Sequence, residues 1–357
     1  MENNLYLVVK NKICEMIYNE VYKDGENIPS ERDLAKRLEV SRVTVRKALE
    51  LLDKDGIIQR VQGSGTRISL KQTGHKDAMD IIALLAPPQK PFFATFIDYF
   101  QKIADKNNSL VLFMQNPKDE KIEDSLFKLF QKNIRNVVIW LDDLKLDIDS
   151  IRRLRGLGMN IVFFDRTVIS PYADCVLLDN QDAVSMLYNY LNQEKMNRVL
   201  YVGWDDLSLS SIREREEYFI KVSNSRDNIY HIPWKDKNNI SMYIKQMVAN
   251  MKSQKIRADG IIGGDGEIGI AIKKALIDNG LEFIDAVTID DFPQAQELTL
   301  SAYKQPFTEF AKKVHECLLL QSKYPKKWKA SVYKIKGELI IRENTKDVIT
   351  YCKNITD

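Results

Sequence analysis

The sequence predicts two unlike domains in series: a small α+β domain of short helices closed by a β-hairpin, then a large α/β domain with parallel sheets. Three observations carry this prediction. Residues 1–70 hold short capped helices and one glycine-centred hairpin. Residues 71–79 (KQTGHKDAM) are polar and lack periodicity, which reads as a linker. From residue 80 onward short apolar runs alternate with helical patterns. At 357 residues the chain is also longer than one average domain.

Composition narrows the function. With 53 basic against 50 acidic residues the net charge is only +3, so nucleic acid cannot be held by bulk charge and any such binding needs a local patch. Hydrophobic content of 44% with 29% charged residues is ordinary for a globular chain. No apolar run reaches the length of a membrane span, and MENNLYLVVKNK has no signal-peptide core. Cys14, Cys175, Cys317 and Cys352 are far apart, as are His75, His231 and His315, so no local zinc motif exists. The expectation is a reduced, cytoplasmic protein with no metal, no cofactor and no membrane partner.

The first helix spans about Leu5 to Val21, with Val9, Ile13, Ile17 and Val21 four apart on one face. A turn at Asp24-Gly25 follows. Ser30 is placed to cap the next helix, with acids in its first turn and Leu34, Ala35 and Leu38 facing inward. After Val40, Ser41 caps a third helix from Arg42 to about Lys54, its core face Val45, Leu49 and Leu52. Two short helices so spaced form a helix-turn-helix, whose second helix suits a DNA major groove. Gly56–Val61 then alternates like a strand, Gln62-Gly63-Ser64-Gly65-Thr66 turns, and Arg67–Leu70 returns as the wing.

Arg42, Thr44, Arg46 and Lys47 fall in the first half of the third helix, and Arg60 and Arg67 flank the glycine turn. A charge run of this kind is ordinarily a solvated helix face. Here capping, turn length and hairpin all agree on a DNA-reading element. The segment PSERDLAKRLEVSRVTVRKALELLDKDGIIQRVQGSGTRI resembles the winged helix-turn-helix of the GntR family over roughly residues 5–70. The resemblance implies operator contacts from Arg32, Ser41, Arg42, Thr44, Arg46 and Gly63, with Gln62 at the wing tip. Ser30, Lys47 and Gly65 complete the candidate set. It also implies a homodimer on palindromic operator DNA.

In the second domain, Asp80–Ala86, Leu110–Met114, Val137–Leu141, Ile161–Phe164, Val199–Gly203, Ile229–Pro233, Gly260–Gly263 and Ala286–Ile289 read as strands. Helical patterns at Phe92–Lys106, Ile122–Lys132, Ile151–Leu157 and Asp182–Asn192 separate some of them. Ligands of such sheets sit beyond the carboxyl ends of the strands. Those ends carry Asp142-Asp143, Asp165-Arg166, Asp205-Asp206, Asp265 and Asp290-Asp291, accompanied by Phe92, Phe93, Trp140 and Trp204. Each alone reads equally as a loop charge or a core aromatic; as a set they suit a polyhydroxylated ligand.

Enzyme chemistry finds no support. Nothing places two carboxylates at a glycosidase separation, and no nucleophile motif accompanies the histidines. Gly264-Asp265-Gly266-Glu267-Ile268-Gly269 matches a dinucleotide fingerprint after a strand. Its two acids would repel a pyrophosphate, and it comes late in the domain, so a dinucleotide (NAD) sensor stands only as an alternative.

Residues 80–345 resemble the LacI/GalR-type sugar-binding domain, itself related to periplasmic binding proteins. The resemblance rests on Pro91-Phe92-Phe93, Phe164-Asp165-Arg166, Asp179-Asn180, Asn197-Arg198-Val199, ADGIIGGD (258–265), IAIKKALIDNG, LTLSAYKQP (298–306) and LIIRENT (339–345). It implies a two-lobed, type I periplasmic-binding-protein-like fold. The lobes would join near Asp179–Asp182, Gln305–Pro306 and the segment before Leu339. The implied effector residues are Phe92, Phe93, Trp140, Asp165, Arg166, Trp204, Arg215, Asp265 and Asp291. Where the family has an arginine-x-x-glycine-aromatic segment this chain has Arg215-Glu216-Glu217-Tyr218-Phe219, so Arg213 competes with Arg215 for the role. The joint expectation is a homodimeric repressor released from its operator by a sugar or sugar derivative; a non-regulatory cytosolic solute-binding protein is the remaining alternative.

Overall fold

The computed structural model describes residues 5–61, 65–70, 79–86, 91–115, 121–140, 146–166, 171–194 and 198–342. It begins with α1 (Leu5–Tyr18), β1 (Asn27–Ile28), α2 (Glu31–Arg37), α3 (Arg42–Lys54), β2 (Ile58–Val61) and β3 (Gly65–Ile68). Both caps form: Ser30 Oγ accepts from the Asp33 amide at 3.2 Å and Ser41 Oγ from the Thr44 amide at 3.1 Å. Leu34, Ala35, Val45, Leu49 and Leu52 are buried, and Leu38 is half-buried. Helix α1 stops short of Val21 because the chain turns at Glu20, whose φ is +57°, leaving Val21 exposed. Strand β1 is two residues long and has no periodicity to announce it. It exists through antiparallel pairing with β3, Ile28 opposite Thr66. Gly65 opens β3 at φ +93°, a conformation that favours glycine. Gln62, Gly63 and residues 71–78 lie outside the described residues.

The chain forms two compact units. The first comprises Met1–Phe164, Val168–Val176 and Ala311–Tyr333; the second comprises Asp165–Thr167, Leu177–Phe310 and Lys334–Asp357. The passages expected near Asp179–Asp182 and Gln305–Pro306 thus fall at Val176/Leu177 and Phe310/Ala311.

The first unit joins the winged helix-turn-helix to a sheet ordered β14 (Val332–Ile335), β8 (Asp174–Leu178), β7 (Asn160–Phe164), β6 (Asn136–Ile139), β4 (Ile81–Ala86), β5 (Leu110–Gln115). The pairs from β8 to β5 are parallel. Every residue of β6, β7 and β8 is buried, as expected for strands covered on both faces. Helices α4 (Pro91–Lys106), α5 (Ile122–Gln131), α6 (Ile148–Gly156) and α12 (Phe307–Lys323) accompany it. Buried Asp174 ties α12 to the sheet, accepting from Gln321 Nε2 at 2.7 Å and Trp328 Nε1 at 2.8 Å.

The second unit's sheet runs β10 (Ile229–Ile232), β9 (Val199–Trp204), β11 (Gly260–Gly263), β12 (Asp285–Ile289), β13 (Ser301–Lys304), β15 (Glu338–Ile340). Its helices are α7 (Asn180–Gln193), α8 (Ser210–Ser223), α9 (Ile240–Lys252), α10 (Gly266–Asp278) and the short α11 (Pro293–Glu297). The sheet is parallel from β10 to β13; at its edge β15 is antiparallel to β13, which makes it mixed.

Candidate functional site

On α3 the buried stripe leaves Arg42, Val43, Arg46 and Lys47 exposed at the start of the helix, with Thr44 half-buried beside the capping Ser41. Arg46 Nε donates to Glu31 Oε2 at 3.2 Å, and the Lys47 ammonium stands 6.0 Å from the centre of the Tyr6 ring. Ser30 and Arg32 are exposed at the start of α2. In the wing, Arg60 is exposed, and Arg67 Nε donates to the Gly25 carbonyl. Val43 was passed over in the sequence. Its signal is an apolar side chain, 62% exposed, between Arg42 and Thr44 at the point where a recognition helix meets base edges; apolar contact there suits a thymine methyl.

The second unit brings several candidate effector residues into one polar cluster. Arg215 is buried; its Nε donates to Asn180 Oδ1 at 2.9 Å and its Nη1 to the Gly264 carbonyl at 2.8 Å. Arg213 faces outward, donating to the Leu207 carbonyl at 3.0 Å, so of the two arginines Arg215 is the one turned inward. Asp265 caps α10, accepting from the Ile268 amide at 2.9 Å on one oxygen and from Trp204 Nε1 on the other. Trp204 is in turn set edge-on against Trp234. Arg166 is buried and donates to Ser211 Oγ at 2.7 Å and to Asp165, whose φ is +56°.

Asp290, and not the Asp291 expected in the effector set, is the buried member of the Asp290-Asp291 pair. Gln305 Nε2 donates to it. Burial pushes its carboxyl up to about 6, with Arg215 opposing and the Asp265 charge adding to the rise. Asp291 is held instead by Arg342 Nη2 at 2.8 Å. Adjacent residues of one type differ here only in which way the backbone turns them, and Asp290 takes a φ of +76°.

In the first unit, Phe93 and Trp140 are both buried with rings stacked 5.3 Å apart. Phe92 lies in α4, and its side chain, like Asp142 and Asp143, is outside the described residues.

The fingerprint Gly264–Gly269 has a packing explanation that displaces the dinucleotide alternative. The amino end of α10, where a pyrophosphate would sit, is filled by the Asp265 carboxylate. A Cβ on Gly269 would come within 2.2 Å of Thr288 Oγ1, and one on Gly266 within 2.6 Å of the Phe292 ring. The glycines let α10 lie close on the sheet.

These features meet in the comparisons with known proteins. The chain belongs to the family of periplasmic binding proteins and sugar-binding domains of the LacI family, whose model matches residues 78–311, and its residues 5–68 match the gntR family of bacterial regulatory proteins. Both descriptions are of binding and regulatory proteins. Among individual relatives, the arabinose metabolism transcriptional repressor of Geobacillus stearothermophilus is 22% identical over 361 residues, covering 96% of this chain and 98% of that one. In fold the chain is similar to a lac repressor dimer bound to operator and an anti-inducer (TM-score 0.60, 16% identity, 75% of this chain and 94% of that one). It is also similar to the LacI family regulator CCPA of Weissella paramesenteroides with bound glucose (TM-score 0.60, 18% identity, 74% and 97%). No helix among the described residues is long and apolar enough to cross a membrane.

Proposed function

We propose that this chain is a sequence-specific transcriptional repressor that leaves its operator when a sugar or sugar derivative binds its effector domain. Residues 1–70 would read DNA, 71–79 connect, and 80–357 bind effector and dimerise. The observation that carries the reading is the exposed start of α3: a capped helix presenting Arg42, Val43, Arg46 and Lys47, in a chain whose remainder belongs to a sugar-binding family.

Ser30, Arg32, Ser41, Arg42, Thr44, Arg46, Lys47, Gln62, Gly63 and Gly65 form the proposed DNA face. A two-fold operator is met by a homodimer, which doubles the contacts and sets the half-site spacing. Asp165, Arg166, Trp204, Arg215, Asp265 and Asp291 form the proposed effector set, with Phe92, Phe93 and Trp140 as the aromatic partners. Asp290 joins them by burial beside Arg215. Carboxylates and guanidinia suit paired hydroxyls, and flat rings suit an apolar sugar face. No reaction is assigned, and the protein is read as cytoplasmic.

A thermal-shift panel of pentoses, hexoses and their phosphates tests the effector assignment, arabinose first because a relative governs arabinose metabolism. A true effector at a hundredfold excess over its Kd stabilises the native state by about 2.7 kcal/mol, and the same compound should then release operator in a gel shift. A panel with no stabilising sugar would remove the sugar assignment.

A further inference from the structure

Helix α1 reaches beyond the packing of its own small domain. Tyr18, its last residue, lies flat on Phe127 of α5, ring centres 4.3 Å apart and planes 5° from parallel. Burial pushes its phenol up to about 12. Arg153 of α6 closes the other side. Its guanidinium stands 5.9 Å from the Tyr18 ring centre, and Nη1 donates to Glu20 at 3.0 Å while Nη2 donates to Ser150 Oγ at 2.8 Å.

A second contact flanks this one. Leu70, held to the small domain by its amide donating to Asp24 Oδ1 at 2.9 Å, rests on Gly156 at the end of α6. A Cβ at Gly156 would stand 2.6 Å from the Leu70 Cβ, so the approach depends on glycine there. The residues that would read DNA, at the start of α3, are left exposed by this arrangement.

We propose that the DNA-reading domain is docked, through Tyr18, Glu20 and Leu70, on the α5–α6 face of the effector domain, and that effector binding repositions the reader through this joint. The role in regulation rests on the proposed repressor function; the joint itself does not. A stacked aromatic, a charge-assisted hydrogen bond and a glycine-dependent close contact hold the reader to α5 and α6. A bound effector moves such a joint only by its differential affinity for the two arrangements.

The full-length chain allows a test of the joint without DNA. All four tryptophans, Trp140, Trp204, Trp234 and Trp328, lie outside residues 1–70, so melting followed by tryptophan fluorescence reports the effector domain alone. Glu20→Arg and Tyr18→Leu, both in the reader, are expected to lower that melting temperature by about 2 °C or more. Arg153→Glu should do the same, and Glu20→Arg combined with Arg153→Glu should recover most of the loss. Unchanged tryptophan melting in Glu20→Arg and Tyr18→Leu, or strictly additive losses in the charge swap, would overturn the docking. For the regulatory half, the ratio of operator affinities without and with the sugar found by thermal shift should fall by about fivefold in each single swap and return in the double; an unaltered ratio overturns it. Should the wild-type chain bind no operator in any selected duplex pool, the repressor reading fails, while the melting experiment still decides the joint.

Discussion

The ionisation of the buried Asp290 bears directly on stability. Its native pKa of about 6 lies above the usual 3.8, so between those values the folded chain keeps a proton that the unfolded chain has released. That stabilisation is full below about pH 4 and is lost as the pH rises through about 6. Asp290→Asn should therefore flatten this part of the pH profile and raise the melting temperature at pH 7. Melting curves from pH 4 to 7 check this, and an unaltered slope would show that another group is responsible. Asp265, held by Trp204 and the α10 amide, is the residue whose loss should separate the two functions. Asp265→Ala is expected to bind operator but to ignore effector, and wild-type effector affinity by calorimetry would rule that out. On the DNA side, Arg42→Ala or Arg46→Ala should weaken operator binding by about 1–3 kcal/mol if either reads a base. The exposed Arg46–Glu31 pair adds little to that number. Gel-shift titration with folded variants measures it, and unchanged affinity in both would move the recognition elsewhere.

At the scale of elements, α10 and α3 show how short sequence features set geometry. Helix α10 approaches β11 and β12 closely because Gly263 and Gly269 carry no side chain: a Cβ on Gly263 would stand 2.8 Å from the Gly269 Cα, and Thr288 fills the space against Gly269. Gly269→Ala forces a carbon into that contact and should cost about 1–3 kcal/mol, read as a drop in denaturation midpoint; a neutral result would mean that the sheet gives way easily. Helix α3 depends on its Ser41 cap. Ser41→Ala removes the acceptor for the Thr44 amide and should cost about 1 kcal/mol, besides loosening the part of the helix proposed to meet DNA.

For the whole molecule the central quantity is the coupling between operator and effector. If effector weakens operator binding by some factor, operator must weaken effector binding by the same factor. Effector affinity measured with and without operator checks this on the intact protein, and identical values would mean that reader and sensor are energetically separate. Sedimentation at the concentrations used tests the proposed dimer, and a monomer would rule out the two-fold operator reading.

Local chemistry determined most of the DNA-reading domain. The caps at Ser30 and Ser41, the bounds of α3 and the positive φ of Gly65 are short-range effects, settled by residues within a few positions of one another. The alternation of apolar strands and helices likewise specified a covered, largely parallel α/β architecture. Other features belong to partners distant in the chain. Strands β1 and β15 exist by pairing with β3 and β13, and the sequence pattern does not single out β8, which is fully buried. The choice of Asp290 over Asp291, and of Arg215 over Arg213, was made by burial against Gln305, Asn180 and the Gly264 carbonyl. The stack of Tyr18 on Phe127 joins residues more than a hundred positions apart. Only the folded chain supplies the surface that receives Tyr18, because burial depends on what arrives from elsewhere in the sequence.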